Sequence, residues 1–191
     1  MFALIKDGNV ATVSNFFSPH RLFELTGIRT SVQLGEIGNG FSIVEVADQA
    51  DDLKPFQYHV EGSVVVTGGK ASRNLTATDM DLDQAKDQML MALGQRRDKW
   101  RGLLDYNGTM IPINDWSWEV IELMDGAGKI QDIDGNWIEV EGDDIRAALF
   151  SHRSAVVKKY TELAIKIEGY KTVNGIRAFD LDALWPGPAI A

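Results

Sequence analysis

Two apolar stripes of helical period, separated by a pair of hairpin signals, constrain this chain more than any other feature. Leu82, Ala85, Met89, Leu93, Trp100 and Leu103 recur three or four residues apart, or at their sum, and so fall on one face of a helix. Asp81 offers a side-chain oxygen to the first turn, and Gln84 three residues on completes a capping box. The predicted helix spans about 24 residues, or about 36 Å. A second stripe, Ile145, Leu149, His152, Val156, Tyr160, Leu163 and Ile167, begins near Gly142-Asp143 and is predicted to match the first in length. The two are expected to pack together. About six large side chains from each, at about 1.5–3 kcal/mol apiece, give a gross gain of tens of kcal/mol before chain entropy is subtracted. Gly94 inside the first helix costs about 1 kcal/mol relative to alanine unless a neighbour packs closely, which predicts a contact point there.

Between the stripes, Leu103 to Tyr106 and Thr109 to Ile113 bracket Asn107-Gly108, a strong signal for a two-residue hairpin turn. Asn114 or Asp115 then caps a second helix carrying Trp118, Ile121 and Leu123, which stops near Gly126-Ala127-Gly128. A second hairpin is predicted from Lys129 to Val140, turning at Asp134-Gly135-Asn136. Past Gly169 the chain reads as a tail with Val173, Ile176, Phe179, Leu181, Leu184 and Trp185 as apolar anchors, before Pro186-Gly187-Pro188 ends regular structure. Such a tail needs a surface, either its own helices or a neighbouring subunit.

Upstream, the period is that of strands. Phe2 to Ile5 and Val10 to Val13 flank Asp7-Gly8-Asn9 as a hairpin. Ser18-Pro19 opens a short helix closed by Gly27, and strands are predicted at Val32 to Leu34, Phe41 to Val46, Phe56 to Val66 and Lys70 to Thr78. The fold class is therefore α+β: residues 1–78 a small, mostly β domain, residues 79–170 a helix–hairpin–helix–hairpin–helix module with two long packed helices, and residues 171–191 a docking tail.

The chain of 191 residues is 45% apolar, enough for a core, and contains no run of about 18 apolar residues that would cross a membrane. Its start reaches Lys6-Asp7 too soon for a signal peptide, and the absence of cysteine fits a reducing cytoplasm. Net charge is −9, with six Lys/Arg against eight Asp/Glu in residues 1–78 and thirteen against twenty in the remainder. Phosphate backbones are repelled by that balance, and the cluster Arg96, Arg97, Lys99, Arg101 reads as a solvated helix face, so no nucleic-acid partner is expected.

No constellation of catalytic or ligand-binding residues survives a check of spacing. A calcium loop begun at Asp132 needs Gly where Trp137 stands and Glu where Asp143 stands. A Walker loop ending at Gly69-Lys70 needs Gly at Val64, and Gly35, Gly38 and Gly40 lack dinucleotide spacing. His20, His59 and His152 nominate no zinc site, so neither metal nor cofactor is expected. Asp79, Asp81, Asp83, Asp143 and Asp144 sit in first helical turns, where the helix dipole favours acids. Trp100, Trp116, Trp118 and Trp137 are read as core packing, with an aromatic platform for a sugar or a protein as the alternative. Trp116 and Trp118, two apart, cannot share a helix face, so one points outward. The candidate partner contacts are Trp116, Trp118, Phe179, Leu184 and Trp185.

The order of a helix with Lys86 and Arg97, Tyr106-Asn107-Gly108, Asn114-Asp115 before a helix, Gly135-Asn136-Trp137 and a long helix resembles a small domain of unassigned function found in bacteriophage tail proteins. The resemblance covers about residues 75–185, including the family's Leu-x-x-x-Lys helix start at Leu82 to Lys86 and its closing Arg-Asp pair at Arg97-Asp98. The Phe2 to Val13 hairpin is also of a kind found in tail and fibre proteins, whereas the acidic segment before Trp137 and the stretch from Phe179 to Pro188 depart from the pattern. The resemblance implies a structural or adaptor subunit of the virion tail, at the baseplate, tail tip or fibre attachment. Such a subunit is made in the bacterial host cytoplasm and is not an enzyme; it assembles with other tail proteins as a symmetric homo-oligomer. The alternatives are a tail-fibre assembly chaperone absent from the particle and a carbohydrate-active hydrolase of the tail.

Overall fold

The computed structural model describes residues 1–186 and Pro188; Gly187 of the Pro186-Gly187-Pro188 stop lies outside the described residues. The protein is α+β and divides into two compact units, Met1–Met80 and the chain from Asp81 onward.

In the first unit β1 (Phe2–Lys6) and β2 (Asn9–Ser14) form a hairpin, followed by α1 (Pro19–Thr26), β3 (Gly35–Gly38), β4 (Phe41–Ala50), β5 (Gln57–Thr67) and β6 (Lys70–Asp79). The sheet order is β2-β1-β4-β6-β5, with β3 added along β4. Strand β4 organises it: residues 41–45 pair antiparallel with β1, and residues 46–50 pair parallel with residues 71–75 of β6. Because β1 is covered on both faces, its apolar residues run consecutively instead of alternating. Leu4 packs with Phe17, Leu22, Ile37, Phe41 and Ile43, while Ala3 and Ile5 pack with Val46 and Ala71. Ser18 caps α1 and Gly27 ends it at φ +71°.

The strand expected at Val32 to Leu34 is displaced to β3. Asn39 and Gly40, at φ +52° and +76°, make the two-residue turn that seats Gly38 opposite Phe41 and Gly35 opposite Ile43. That register leaves Val32 and Leu34 outside the ladder and exposed.

Arg73 on β6 is buried in register with Asp48 on β4. Its guanidinium donates twice to Asp48, at 3.0 Å each, and pairs with Glu61 at 2.5 Å. The hydrogen bond with Arg73 holds the Asp48 carboxyl below the usual carboxylate range. A carboxylate depressed in the folded state contributes stability that is fully present above its unfolded pKa, about 4, and is lost as pH falls through the lower folded value. We expect Asp48→Asn to speed hydrogen exchange of the β4 and β6 amides at pH 7. As pH is taken below about 4 the difference from the parent should shrink, because protonation then removes the same pair.

In the second unit α2 (Leu82–Arg101) has the capping box of Asp81 and Gln84 at its start. It is 20 residues long, shorter than expected, because Gly102 ends it and Leu103 opens β7 (Leu103–Tyr106) instead of continuing the stripe. β8 (Thr109–Pro112) completes the first hairpin, with Asn107 and Gly108 at φ +54° and +81°. α3 (Asp115–Leu123), the β9 (Ala127–Gln131) and β10 (Trp137–Glu141) hairpin and α4 (Gly142–Gly169) follow, then the short α5 (Val173–Arg177) and α6 (Leu181–Leu184).

α2 and α4 are in contact and run antiparallel: Lys86 Nζ donates to Glu168 O at 2.7 Å, and His152 Nε2 donates to Trp100 O at 2.7 Å. Their lengths differ, since α4 has 28 residues, and its stripe divides between two cores. Val156, Leu163 and Ile167 are buried along the part of α4 that follows His152, with Ala85, Met89 and Leu93 buried on α2. Ile145 and Leu149 belong instead to a cluster with Leu104, Ile111, Ile121, Ile130 and Val140, supplied by the hairpins and α3. Of the six expected α2 anchors four are therefore buried, Ala85, Met89 and Leu93 from the helix and Leu103 from β7, while Leu82 and Trp100 are half-buried. Gly94 makes no close contact: a β-carbon there meets nothing within 4 Å. Gly94→Ala is accordingly expected to stabilise the second unit by about 0.5–1 kcal/mol through helix propensity, read as a raised midpoint in urea with unchanged slope.

Candidate functional site

All five tryptophans lie in the second unit, at positions 100, 116, 118, 137 and 185, and the structure assigns them opposite fates. α3 sets the first division. Asn114 caps it by accepting from Ser117 N at 2.9 Å, while Ser117 Oγ accepts from Asn114 N at 2.8 Å. Arg146 holds the other end, donating to the Met124 and Ile121 carbonyls at 2.5 and 3.2 Å. With both ends fixed, Ser117 and Ile121 are buried and Trp118 packs on the hairpin core, under the Arg153 guanidinium 3.9 Å from its ring centroid. Trp116 is turned the other way and is 51% exposed.

Trp137 joins it. Along β10, Ile138 and Val140 face inward, so Trp137 faces out and is 58% exposed. The two indoles meet edge-on with centroids 6.5 Å apart. The turn before Trp137 is locked by Asp132, whose carboxylate accepts from Asp134 N at 2.9 Å, Asn136 N at 2.8 Å and Asn136 Nδ2 at 3.1 Å. Burial pushes that carboxyl up, but the hydrogen bonds from Asn136 and the turn backbone outweigh it and hold it below the usual range. Oxygens that a calcium loop would aim at a cation thus accept from the loop's own N–H groups. No grouping of His, Cys, Asp or Glu suited to a metal occurs among the described residues.

Leu123, read from the sequence as an apolar residue of this helix along with Trp118 and Ile121, is 83% exposed. The inner face takes positions 117, 118 and 121; two residues past 121 the helix has turned by about 200°, to the opposite side. Trp116, Glu119, Val120, Leu123 and Met124 line a shallow groove beside the indole pair. Helical phase alone identifies Leu123 as an outer residue, and alternation on β10 alone identifies Trp137; the candidate contacts read from the sequence include neither, and Trp137 enters there only in the aromatic-platform alternative. α4 adds three exposed apolar residues on its outer side, Phe150, Val157 and Ile165.

The tail residues lie elsewhere. Phe179 is buried edge-on against Tyr170, with centroids 6.0 Å apart, and Trp185 is buried, while Leu184 is half-buried. Arg96 donates to Trp185 O at 2.6 Å and pairs with Asp182, and Trp100 Nε1 donates to Pro186 O at 3.0 Å. The tail therefore lies on its own α2. Half of the basic cluster is engaged as well, since Arg96 holds the tail and Arg97 lies 4.9 Å from the Tyr160 ring centroid. Of the five candidate contacts, Trp116 is the one left broadly open.

No family model, no curated protein and no solved structure matches this chain. No helix among the described residues is long and apolar enough to cross a membrane.

Proposed function

We propose that the protein is a structural or adaptor component of a bacteriophage tail, seated at the baseplate, tail tip or fibre attachment and acting by protein–protein assembly. The observation that carries this reading is the open Trp116–Trp137 pair with Leu123 beside it, Trp116 and Leu123 held outward by a helix capped at both ends and Trp137 by a hairpin whose turn Asp132 locks. Aromatic anchors on a rigid support characterise protein interfaces, because little side-chain entropy remains to be lost on docking. In this reading the helix–hairpin–helix–hairpin–helix module is the stiff bracket. Copies of the chain meet through the outer α4 residues Phe150, Val157 and Ile165 to form the symmetric assembly.

Quantitative proteomics of purified virions tests the reading, with stoichiometric recovery expected. Absence from the particle combined with presence in infected-cell lysate would transfer the role to a fibre-assembly chaperone. Light scattering on the purified chain should show an oligomer that Val157→Glu disperses without lowering the melting temperature, as an exposed position permits.

A further inference from the structure

α3 is apolar on two sides, and only one of them is used by the fold. Trp116, Val120 and Leu123 recur at i, i+4 and i+7 along the outer side, and Trp137 extends that stripe edge-on from β10. The same stretch is one-signed. Between Ile113 and Gly128 stand Asp115, Glu119, Glu122 and Asp125 and no lysine or arginine, and all four acids are exposed. Two neighbouring cations are engaged: Lys129 is tied to Glu139 at 3.4 Å, and Arg146, at the α3 C-terminus, is tied to Asp143 at 2.5 Å and to the Met124 and Ile121 carbonyls.

Resting on the assembly reading, we propose that this surface docks a basic amphipathic segment of a partner protein. The partner's apolar residues at helical spacing lie on Trp116, Val120, Leu123 and Trp137, and its lysines or arginines face the four carboxylates. The nine residues of α3 offer about 13 Å of stripe, a length that receives two or three anchors of a docked helix. Charge selects among occupants. Nucleic acid and anionic membranes meet the same four acids and are repelled. A second copy placed face to face would oppose its own identical acids, so the self-complementary contact is disfavoured and a partner of different composition is required.

The test uses the full chain and two 18-residue peptides with the same leucine pattern, one with lysine and the other with glutamate at its polar positions. Tryptophan fluorescence and calorimetry should show saturable binding of the lysine peptide, weakening roughly tenfold or more as salt rises, and binding of the glutamate peptide about 100-fold weaker. Leu123→Ser, which removes an exposed side chain and should leave the melt unchanged, is expected to weaken the lysine peptide about tenfold. Replacing both Glu119 and Glu122 by lysine should reverse the preference between the peptides.

Equal binding of the two peptides, no binding of either, or full binding by the Leu123→Ser variant would overturn the proposal. So would self-association abolished by Leu123→Ser, which would give the face to a second copy, or binding of a neutral oligosaccharide in place of the peptide. Failure here with the chain present in virions would sink this inference alone, whereas peptide binding by a chain missing from virions would sink the tail reading alone.

Discussion

Ile121→Ala is expected to destabilise the second unit by about 2–5 kcal/mol, lowering its melting temperature by roughly 4 °C for each kcal/mol. Ile121 is fully buried where α3 meets both hairpins and the start of α4, among Leu104, Ile111, Ile130, Val140, Ile145 and Leu149. Truncation there leaves a void that elements held at both ends by caps and turns cannot readily close. Intrinsic fluorescence reads the effect selectively, because every tryptophan belongs to this unit. A loss below about 1 kcal/mol would mean that the cluster does not hold the module together.

Gly142→Ala should cost about 1–3 kcal/mol, and more if the backbone cannot shift. A β-carbon at Gly142 would stand 2.6 Å from the Met124 carbonyl oxygen and 3.2 Å from that of Gly126, and neither is the loose end of a side chain. Gly142 N also donates to Gly126 O at 2.9 Å, so the helix start is tied where the clash arises. The position anchors α4 beneath α3, and the variant should therefore blunt the Trp116–Trp137 pairing as well as stability, seen as changed near-ultraviolet circular dichroism. An unchanged spectrum and melt would sink this account of the junction.

Features decided by short-range chemistry were legible in the residues. The capping box at Asp81, a cap from the Asn114-Asp115 pair, the Asn107-Gly108 turn and the Gly27 stop depend on neighbours within a few positions, and each occurs, with Asn114 as the cap and Ser117 adding a capping box that the reading did not name. Features decided by distant pairing were not. Nothing local to Val46 or Ala71 announces that their strands run parallel, and nothing within α4 states that Ile145 and Val156 serve different cores. Val32 and Leu34 illustrate the same limit, since strand propensity yielded to the register imposed by the turn at Asn39-Gly40. At the candidate site the outward indole of the 116/118 pair follows from helix phase, but its meeting with Trp137 required the fold of the second hairpin.

Arg96 and Trp100 are completed by backbone oxygens that lie 89 and 86 positions later in the chain. A ribosome paused anywhere in that interval holds a nascent α2 whose Arg96 and Trp100 side chains still lack these acceptors, since loop closure over so long a span must await the distant segment. A cell carrying a slow-codon version of the last stretch is therefore expected to accumulate less of the protein at equal messenger level, read by quantitative immunoblot.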